Sequence, residues 1–123
     1  MFLRKYDLEG RLINFSILCL NLIEKLPISY APQHFGKQLT RSSSSPTLHY
    51  GEAQAAESPA DFIHKMKICL KELRESQINL KVILMKPYLP EQLVKPVLEE
   101  CGELVAIFTS SIKTAKSNHQ SKN

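Results

Sequence analysis

The 123-residue sequence contains few of the residues that mark a β-rich protein. It has no tryptophan, only four glycines, and sparse runs of β-branched residues. That balance argues against a β-rich fold and favours helices. Hydrophobic residues make up 43% of the chain and charged residues 23%, which is typical of a folded globular domain with a single core.

Cysteine is also scarce, and its placement excludes the usual cysteine-based frameworks. The three residues, Cys19, Cys69 and Cys101, are odd in number and widely spaced, and each falls within an apolar helical stretch. A disulfide framework is indicated by an even number of cysteines, and a zinc site by closely spaced ligands. We therefore expect three small core residues in a reduced, cytoplasmic protein.

The sequence lacks a hydrophobic run long enough to span a bilayer. Its longest apolar run, LINFSILCLNLI at residues 12–23, falls short of the roughly 20 residues that a membrane span needs. The basic start MFLRKYDLEGR is similar to an export signal, but Asp7 and Glu9 interrupt it and no small-residue cleavage site follows. We therefore expect neither a membrane segment nor export.

Acidic residues are missing from two stretches, residues 28–51 and 113–123. The net charge of +4 comes from the chain ends, where Arg4 and Lys5 and the three lysines after residue 112 lie. The rest of the chain is close to neutral. Bulk basicity is therefore weak evidence for nucleic-acid binding, and the argument must rest on a local patch.

Four stretches carry apolar residues at the three-and-four spacing of an amphipathic helix. Asp7 and Ser58 are predicted N-caps, and Pro59 suits the first helical position. The predicted helices cover residues 7–26, 30–57, 58–86 and 90–116.

The fourth predicted helix contains Pro96, which predicts a kink or a late start. Residues 117–123 have nothing apolar to bury and are predicted to form a flexible tail after a single domain over residues 1–116. The predicted core-facing residues of this helix are Leu93, Val97, Cys101, Leu104, Phe108 and Ile112.

The stretch SSSSPTLHYGEA at residues 42–53 has the composition of a linker. It nevertheless keeps a helical register, which a linker has no reason to do. We therefore predict a second helix, bent near Pro46, whose small inner residues let helices approach closely. The residues in register are Phe35, Leu39, Ser42, Pro46, His49, Ala53 and Ala56, and Ser45 is a further small inner residue.

Four helices joined by short turns predict an all-α fold, an up-down-up-down antiparallel four-helix bundle. The first helix carries a second apolar stripe besides its core-facing one. That stripe includes Ile13, Ile17 and Leu20, and one bundle core uses a single stripe well. The sequence therefore predicts that Ile13, Ile17 and Leu20 form an oligomer interface.

The second and third helices carry a pattern that resembles a known family. The matching stretches are QLTRSSSSPTLHYGEAQAAES and DFIHKMKICLKELRES, with Gln-Leu, an arginine, a serine run and Glu-Ala followed by Lys-Glu-Leu-x-Glu-Ser. The chain is identified as a member of the bacterial four-helix-bundle proteins linked to 23S rRNA intervening sequences. One departure is visible, since His49 stands where relatives commonly carry asparagine.

The resemblance implies an assembly as well as a fold. Members look like homopentameric rings, so a homopentamer is implied here. The chain is also distantly similar to the accessory protein of diversity-generating retroelements, which assists a reverse transcriptase and binds nucleic acid. The implied partners are therefore RNA or a nucleic-acid-processing protein.

His49 and Glu52 lie three residues apart on one predicted helix face, with His64 and Glu72 on the next helix. A di-iron bundle needs a Glu-x-x-His pair on each of two helices and a glutamate from each of the others. One reversed pair does not meet that requirement, so we expect no metal or other cofactor and interpret His49 and Glu52 as a structural polar pair. The predicted partners of Glu52 across the helices are Lys71, Arg74 and His64.

Catalytic motifs are missing from the sequence. The serines sit on a helix without a nucleophile elbow, and there is no glycine-rich phosphate loop. We therefore expect no catalytic residues and no enzymatic activity.

A basic stripe runs along the third helix, with basic residues at helical spacings. Such residues could neutralise phosphates, or they could be a solvated face paired with Glu72 and Glu75. No aromatic residue interleaves with them, so binding would be directed at the backbone. The stripe contains His64, Lys67, Lys71, Arg74 and Lys81. The predicted nucleic-acid-binding residues are Lys37, Arg41, Lys67, Lys71 and Arg74.

Two hypotheses of function follow from the sequence. The first is a non-enzymatic nucleic-acid-binding ring, for structured RNA. The second is an oligomeric protein-interaction adaptor whose basic stripe keeps it soluble or meets an acidic partner.

Overall fold

The computed structural model describes residues 7–121, which form four α-helices and no strand. The all-α prediction is thereby confirmed. Each helix packs against the next one along the chain, and α1 also contacts α4. None of the helices over residues 7–121 is both long and apolar enough to cross a membrane. The helices are α1 Leu8–Ile23, α2 Tyr30–Gln54, α3 Pro59–Met85 and α4 Glu91–Ser121.

Side chains cap the starts of two helices as the sequence predicts. The Asp7 carboxylate accepts a hydrogen bond from the Gly10 backbone N–H at 3.0 Å. The Ser58 hydroxyl accepts one from the Asp61 backbone N–H, also at 3.0 Å. Each cap satisfies a backbone donor that has no partner within the helix and contributes about 0.5–2 kcal/mol.

Three helix ends differ from the prediction by three residues or more. α1 ends at Ile23 rather than at residue 26, because the Lys25 and Leu26 N–H groups bond to carbonyls three residues back and Pro27 has no N–H to continue the helix. α2 ends at Gln54 rather than at residue 57. α4 continues to Ser121, so that residues 117–121, predicted as a flexible tail, are helical. No proline or glycine follows Gly102 to end that helix. The last two residues of the predicted tail, 122 and 123, lie outside the described residues.

The serine-rich stretch is helical, as its register predicts. Ser42, Ser43 and Pro46 are buried, and the Ser76 hydroxyl of α3 donates to the Ser42 hydroxyl at 2.8 Å. Ser45, predicted to face inward, is only half-buried. Small side chains on the buried face therefore bring α2 close enough to α3 for two short hydroxyls to meet.

Pro46 lies inside α2, where it removes one backbone N–H and leaves the Ser42 carbonyl without its usual donor. Hydroxyls in the preceding turns bond back to the helix. Thr40 Oγ1 donates to the Gly36 carbonyl at 2.8 Å, and Ser44 Oγ donates to the Thr40 carbonyl at 2.7 Å. Hydrogen bonds from side-chain hydroxyls to carbonyls one turn back favour bending of a helix, and so does a proline inside it.

The core fills the space between the four helices with aliphatic, aromatic and thiol groups. The core-facing residues of the fourth helix are those predicted, except at its start, where Val94 is buried and Leu93 is exposed. The three cysteines are buried and free of disulfides. Burial raises the pKa of the Cys69 and Cys101 thiols to about 12, so both are neutral at physiological pH.

The contact between Ser42 and Ser76 yields a prediction about stability. Ser42→Leu should lower the free energy of unfolding by about 1–3 kcal/mol, because the larger side chain overpacks a fully buried site. Ser45→Leu is the matched control and should cost less, since Ser45 is half-buried. Urea denaturation of the two variants checks this, and equal losses would contradict a tight contact at Ser42.

Candidate nucleic-acid interface

The predicted basic stripe lies on the outer surface of α3. Lys67, Lys71 and Arg74 are all exposed, and their spacings of four and three residues place them on one side of the helix. Together with Leu70, Ile78 and one carboxylate, Glu75, they line a shallow depression. Ile78 is 63% exposed, so the charged side chains surround an apolar patch.

The carboxylates nearest in sequence to the stripe are held by an arginine of another helix. Arg41 on α2 donates through one guanidinium nitrogen to Glu72 Oε2 and through another to Glu75 Oε1, each at 3.0 Å. Within residues 7–121, no ion pair includes Lys67, Lys71 or Arg74. The three stripe residues are therefore not ion-paired with Glu72 or Glu75, which was the pairing that the alternative interpretation expected, although Glu75 lines the same depression.

Arg41 itself, predicted to bind nucleic acid, is engaged in these ion pairs. Glu75 and Glu72 raise the pKa of the Arg41 guanidinium. The guanidinium also provides the charge partner of Glu72, which is a buried residue. A buried carboxylate without a partner is costly, so this contact is part of the packing of α2 against α3. Its charge is balanced within the bundle.

Lys37 lies in a different depression, at the start of α2. That depression includes Ile28, Tyr30 and His34, and none of the α3 stripe residues lines it. The structure thus does not join Lys37 to the α3 stripe in a single depression.

Two lysines of α4 join the α3 stripe, which the sequence alone did not indicate. A second depression, between α3 and α4, is lined by Lys67 and Leu70 from α3 and by Lys113 and Lys116 from α4. Direct contact with the Lys116 side chain, followed by the like charge of that side chain, lowers the pKa of Lys67. The feature of the sequence that could have identified Lys113 and Lys116 is the helical register, which continues past residue 112. We call Lys67, Lys71, Arg74, Lys113 and Lys116 the basic face.

His49 and Glu52 are in contact as a surface polar pair. His49 Nδ1 lies 3.3 Å from Glu52 Oε1, and Lys65 Nζ donates to the same oxygen at 3.0 Å. Glu52 is exposed. The pKa of the Glu52 carboxyl is lowered mainly by the hydrogen bond with Lys65 and to a smaller extent by His49. The cross-helix partner is thus Lys65, and the predicted partners Lys71, Arg74 and His64 were wrong.

The described part of the chain holds no group of three or more histidine, cysteine, aspartate or glutamate side chains placed to share a metal ion. The side chain that joins His49 and Glu52 is Lys65, whose ammonium group is not a metal ligand. Its contacts tie α2 to α3.

The second apolar stripe of α1 lies at the surface. Ile13, Ile17 and Leu20 are 45%, 49% and 39% exposed, and Leu48 on α2 continues the apolar surface. A groove between α1 and α2 runs along this surface, lined by Ile13, Ser16, Ile17, Ser44, Thr47 and Leu48. Among the described residues, the buried Thr47 hydroxyl is without a hydrogen-bond partner.

The ion pairs of Arg41 yield a second prediction. Arg41→Ala should lower the melting temperature, because it leaves the buried Glu72 carboxylate without its partner. Adding Glu72→Gln to this variant should recover part of the loss, since the amide is neutral. Arg74→Ala is the matched control and should leave the melting temperature unchanged. A greater loss in the control than in Arg41→Ala would contradict the assignment.

Comparison with known proteins gives this fold a family. The family model of the 23S rRNA-intervening sequence protein matches residues 5–110. A search of curated proteins found no match.

A solved structure has a similar backbone over most of both chains. It is a protein of unknown function from the S23 ribosomal protein family of Bacteroides thetaiotaomicron VPI-5482, 27% identical in sequence, with a TM-score of 0.78. The alignment covers 85% of this chain and 97% of that one. Because the family match extends over most of the sequence and the fold agrees with it, this chain belongs to the 23S rRNA-intervening sequence protein family.

Proposed function

We propose that this protein is a non-enzymatic, oligomeric helical bundle that binds structured RNA through the phosphate backbone. The observation that carries the proposal is the position of Arg41. By holding Glu72 and Glu75, it leaves Lys67, Lys71 and Arg74 outside every ion pair among residues 7–121. Lysine and arginine side chains at helical spacing are the groups that neutralise phosphates and release counterions.

The composition of the basic face supports backbone contacts over base recognition. Its members are lysines and one arginine, and the depressions that they line contain no aromatic residue. Stacking on aromatic rings is the usual means of holding unpaired bases, whereas phosphate contacts carry little sequence information. The family description, which ties its members to 23S rRNA intervening sequences, supports RNA as the nucleic acid.

The connections between the helices support the finer topology. They cover residues 24–29, 55–58 and 86–90, and connections this short favour antiparallel neighbours. The order we propose is therefore up-down-up-down. Three buried, free cysteines suit a reducing compartment, so we propose a cytoplasmic protein.

The apolar stripe of α1 supports self-association. Ile13, Ile17 and Leu20 remain exposed in the single chain, and the first two line a groove that a neighbouring copy could cover. We propose a homopentameric ring, the assembly that the family resemblance implies. Repeating the basic face around a ring would allow one RNA to reach several copies, which raises avidity without any further change in the single chain.

A second function, an adaptor for an acidic protein segment, is favoured by one observation. Ile78 is exposed, and with Leu70 it gives the α3 depression an apolar patch within a rim of three cations and Glu75. An amphipathic helix with acidic residues beside its apolar face would match both features. RNA needs the cations but does not need Ile78.

The third prediction tests RNA binding. Lys67→Ala combined with Lys71→Ala should weaken binding to unrelated structured RNAs to a similar extent. The slope of log affinity against log salt should fall by roughly 0.7–0.9 for each phosphate that is no longer neutralised. Mobility shifts at several salt concentrations measure both quantities, and the melting temperature is checked alongside. The control is Lys25→Ala with Lys86→Ala, two exposed lysines outside the basic face.

Two outcomes separate the proposed functions. Binding of Lys67→Ala with Lys71→Ala as tight as that of the parent, with the same salt slope, would refute the RNA proposal. Ile78→Ser should leave RNA binding unchanged. If Ile78→Ser instead abolishes the capture of an acidic partner protein while no variant affects RNA, the adaptor function is supported.

The fourth prediction concerns assembly. Light scattering of the parent should give about 70 kDa, the mass of five chains of 14.0 kDa each. Ile13→Asp combined with Ile17→Asp should shift the mass toward a single chain, because charges cannot be buried at an apolar interface without partners. Ile28→Asp is the control, since Ile28 is exposed and lies outside the stripe. A parent that is monomeric at micromolar concentration refutes the ring.

A further inference from the structure

The depression between α3 and α4 brings together three lysines from two helices. Lys67 comes from α3, and Lys113 and Lys116 come from α4, where they are three residues apart on one side of the helix. Leu70, Thr109 and Ile112 complete the lining, which contains no carboxylate. Within residues 7–121, the ion pairs include none of these three lysines.

The three ammonium groups lie close together with no carboxylate in the lining. Lys67 and Lys116 repel each other, which lowers the pKa of Lys67. The packing beneath does not need the ammonium groups, since Ile112 is buried in the core and Leu70 packs against the core. A cluster of like charges that packing does not require, and that no carboxylate in the lining balances, is complementary to a ligand of the opposite charge.

The chemistry of the three side chains indicates the ligand. Ammonium groups are compact point charges that bind phosphate without the planar geometry that arginine imposes. Thr109 Oγ1 donates its proton to the Val105 carbonyl at 2.7 Å. The lysines are therefore the donors available to an anion in this lining.

We propose that Lys67, Lys113 and Lys116 form a second phosphate-binding subsite, which extends the α3 stripe onto α4. The subsite rests on the proposed RNA binding, and it takes a phosphate of the same backbone that follows Lys71 and Arg74. Lys67 belongs to both depressions and joins them. From Lys67 to Arg74 the helix rises by about 10 Å, which covers more than one phosphate along a strand.

Two of the three lysines of the subsite lie beyond the family match. The family match ends at residue 110, whereas Lys113 and Lys116 come after it. α4 continues through Ser121, so both lysines have a helical framework. They are also two of the three lysines that make the end of the sequence basic.

The test is binding of a mixed-sequence hairpin RNA by Lys113→Ala combined with Lys116→Ala in the full chain. Affinity should fall, and the salt slope should decrease by roughly 0.7–0.9 for each phosphate that these lysines neutralise in the parent. The melting temperature should be equal to that of the parent or higher, because a repulsion is relieved. The variant Lys25→Ala with Lys86→Ala controls for the loss of two positive charges elsewhere.

The outcomes separate this inference from the proposed function. If the α4 variant binds as the parent does while Lys67→Ala with Lys71→Ala is weakened, the subsite is refuted and the proposed function stands. If both variants bind as the parent does, both proposals fail. A lower melting temperature in the α4 variant would assign the lysines a structural role and overturn the subsite.

A second measurement does not depend on RNA. Titration with tripolyphosphate, followed by NMR of the lysine side chains, should shift the resonances of Lys67 and Lys116 and raise the pKa of Lys67. Lys116→Ala alone should also raise the pKa of Lys67, since it removes the neighbouring charge. Lysine resonances that do not respond to saturating tripolyphosphate would overturn the subsite.

Discussion

The close packing of α2 against α3 is the constraint on which the rest of this structure depends. At its centre two buried hydroxyls, Ser42 and Ser76, meet at 2.8 Å, a distance that larger side chains would prevent. Because the helices are this close, Arg41 can reach from α2 to both Glu72 and Glu75 on α3. The small residues of the serine stretch thus determine which charges of α3 are neutralised.

Because Arg41 pairs with Glu72 and Glu75, the two sides of α3 differ in charge. One side carries core residues together with Glu72, whose charge is matched by Arg41. The other side presents Lys67, Lys71 and Arg74 to solvent. Exposed ion pairs contribute little to stability, so the fold loses little by leaving these cations without carboxylate partners. Positive potential can then accumulate at one surface, and the proposed phosphate binding rests on this property.

The two proposed surfaces belong to different helices. The basic face lies on α3 and α4, whereas the apolar stripe lies on α1 with Leu48 of α2 beside it. Their separation on the bundle would let copies associate through one surface while the other remains open to RNA. Arg11 of α1, which pairs with Glu100 and Glu103 of α4, helps to hold the fourth helix against the first.

The sequence was sufficient to predict the four helices, their caps and most of the core, because apolar periodicity and capping are local properties of the chain. It also determined that residues 42–53 are helical, since their register continues that of the flanking residues. The charge pairing, in contrast, could be read only from the folded structure. There Lys65 pairs with Glu52, Arg41 pairs with Glu72, and Lys113 and Lys116 lie on the basic face. These pairings depend on which faces of different helices meet, and spacing along one helix carries no information about the rotation of its neighbour.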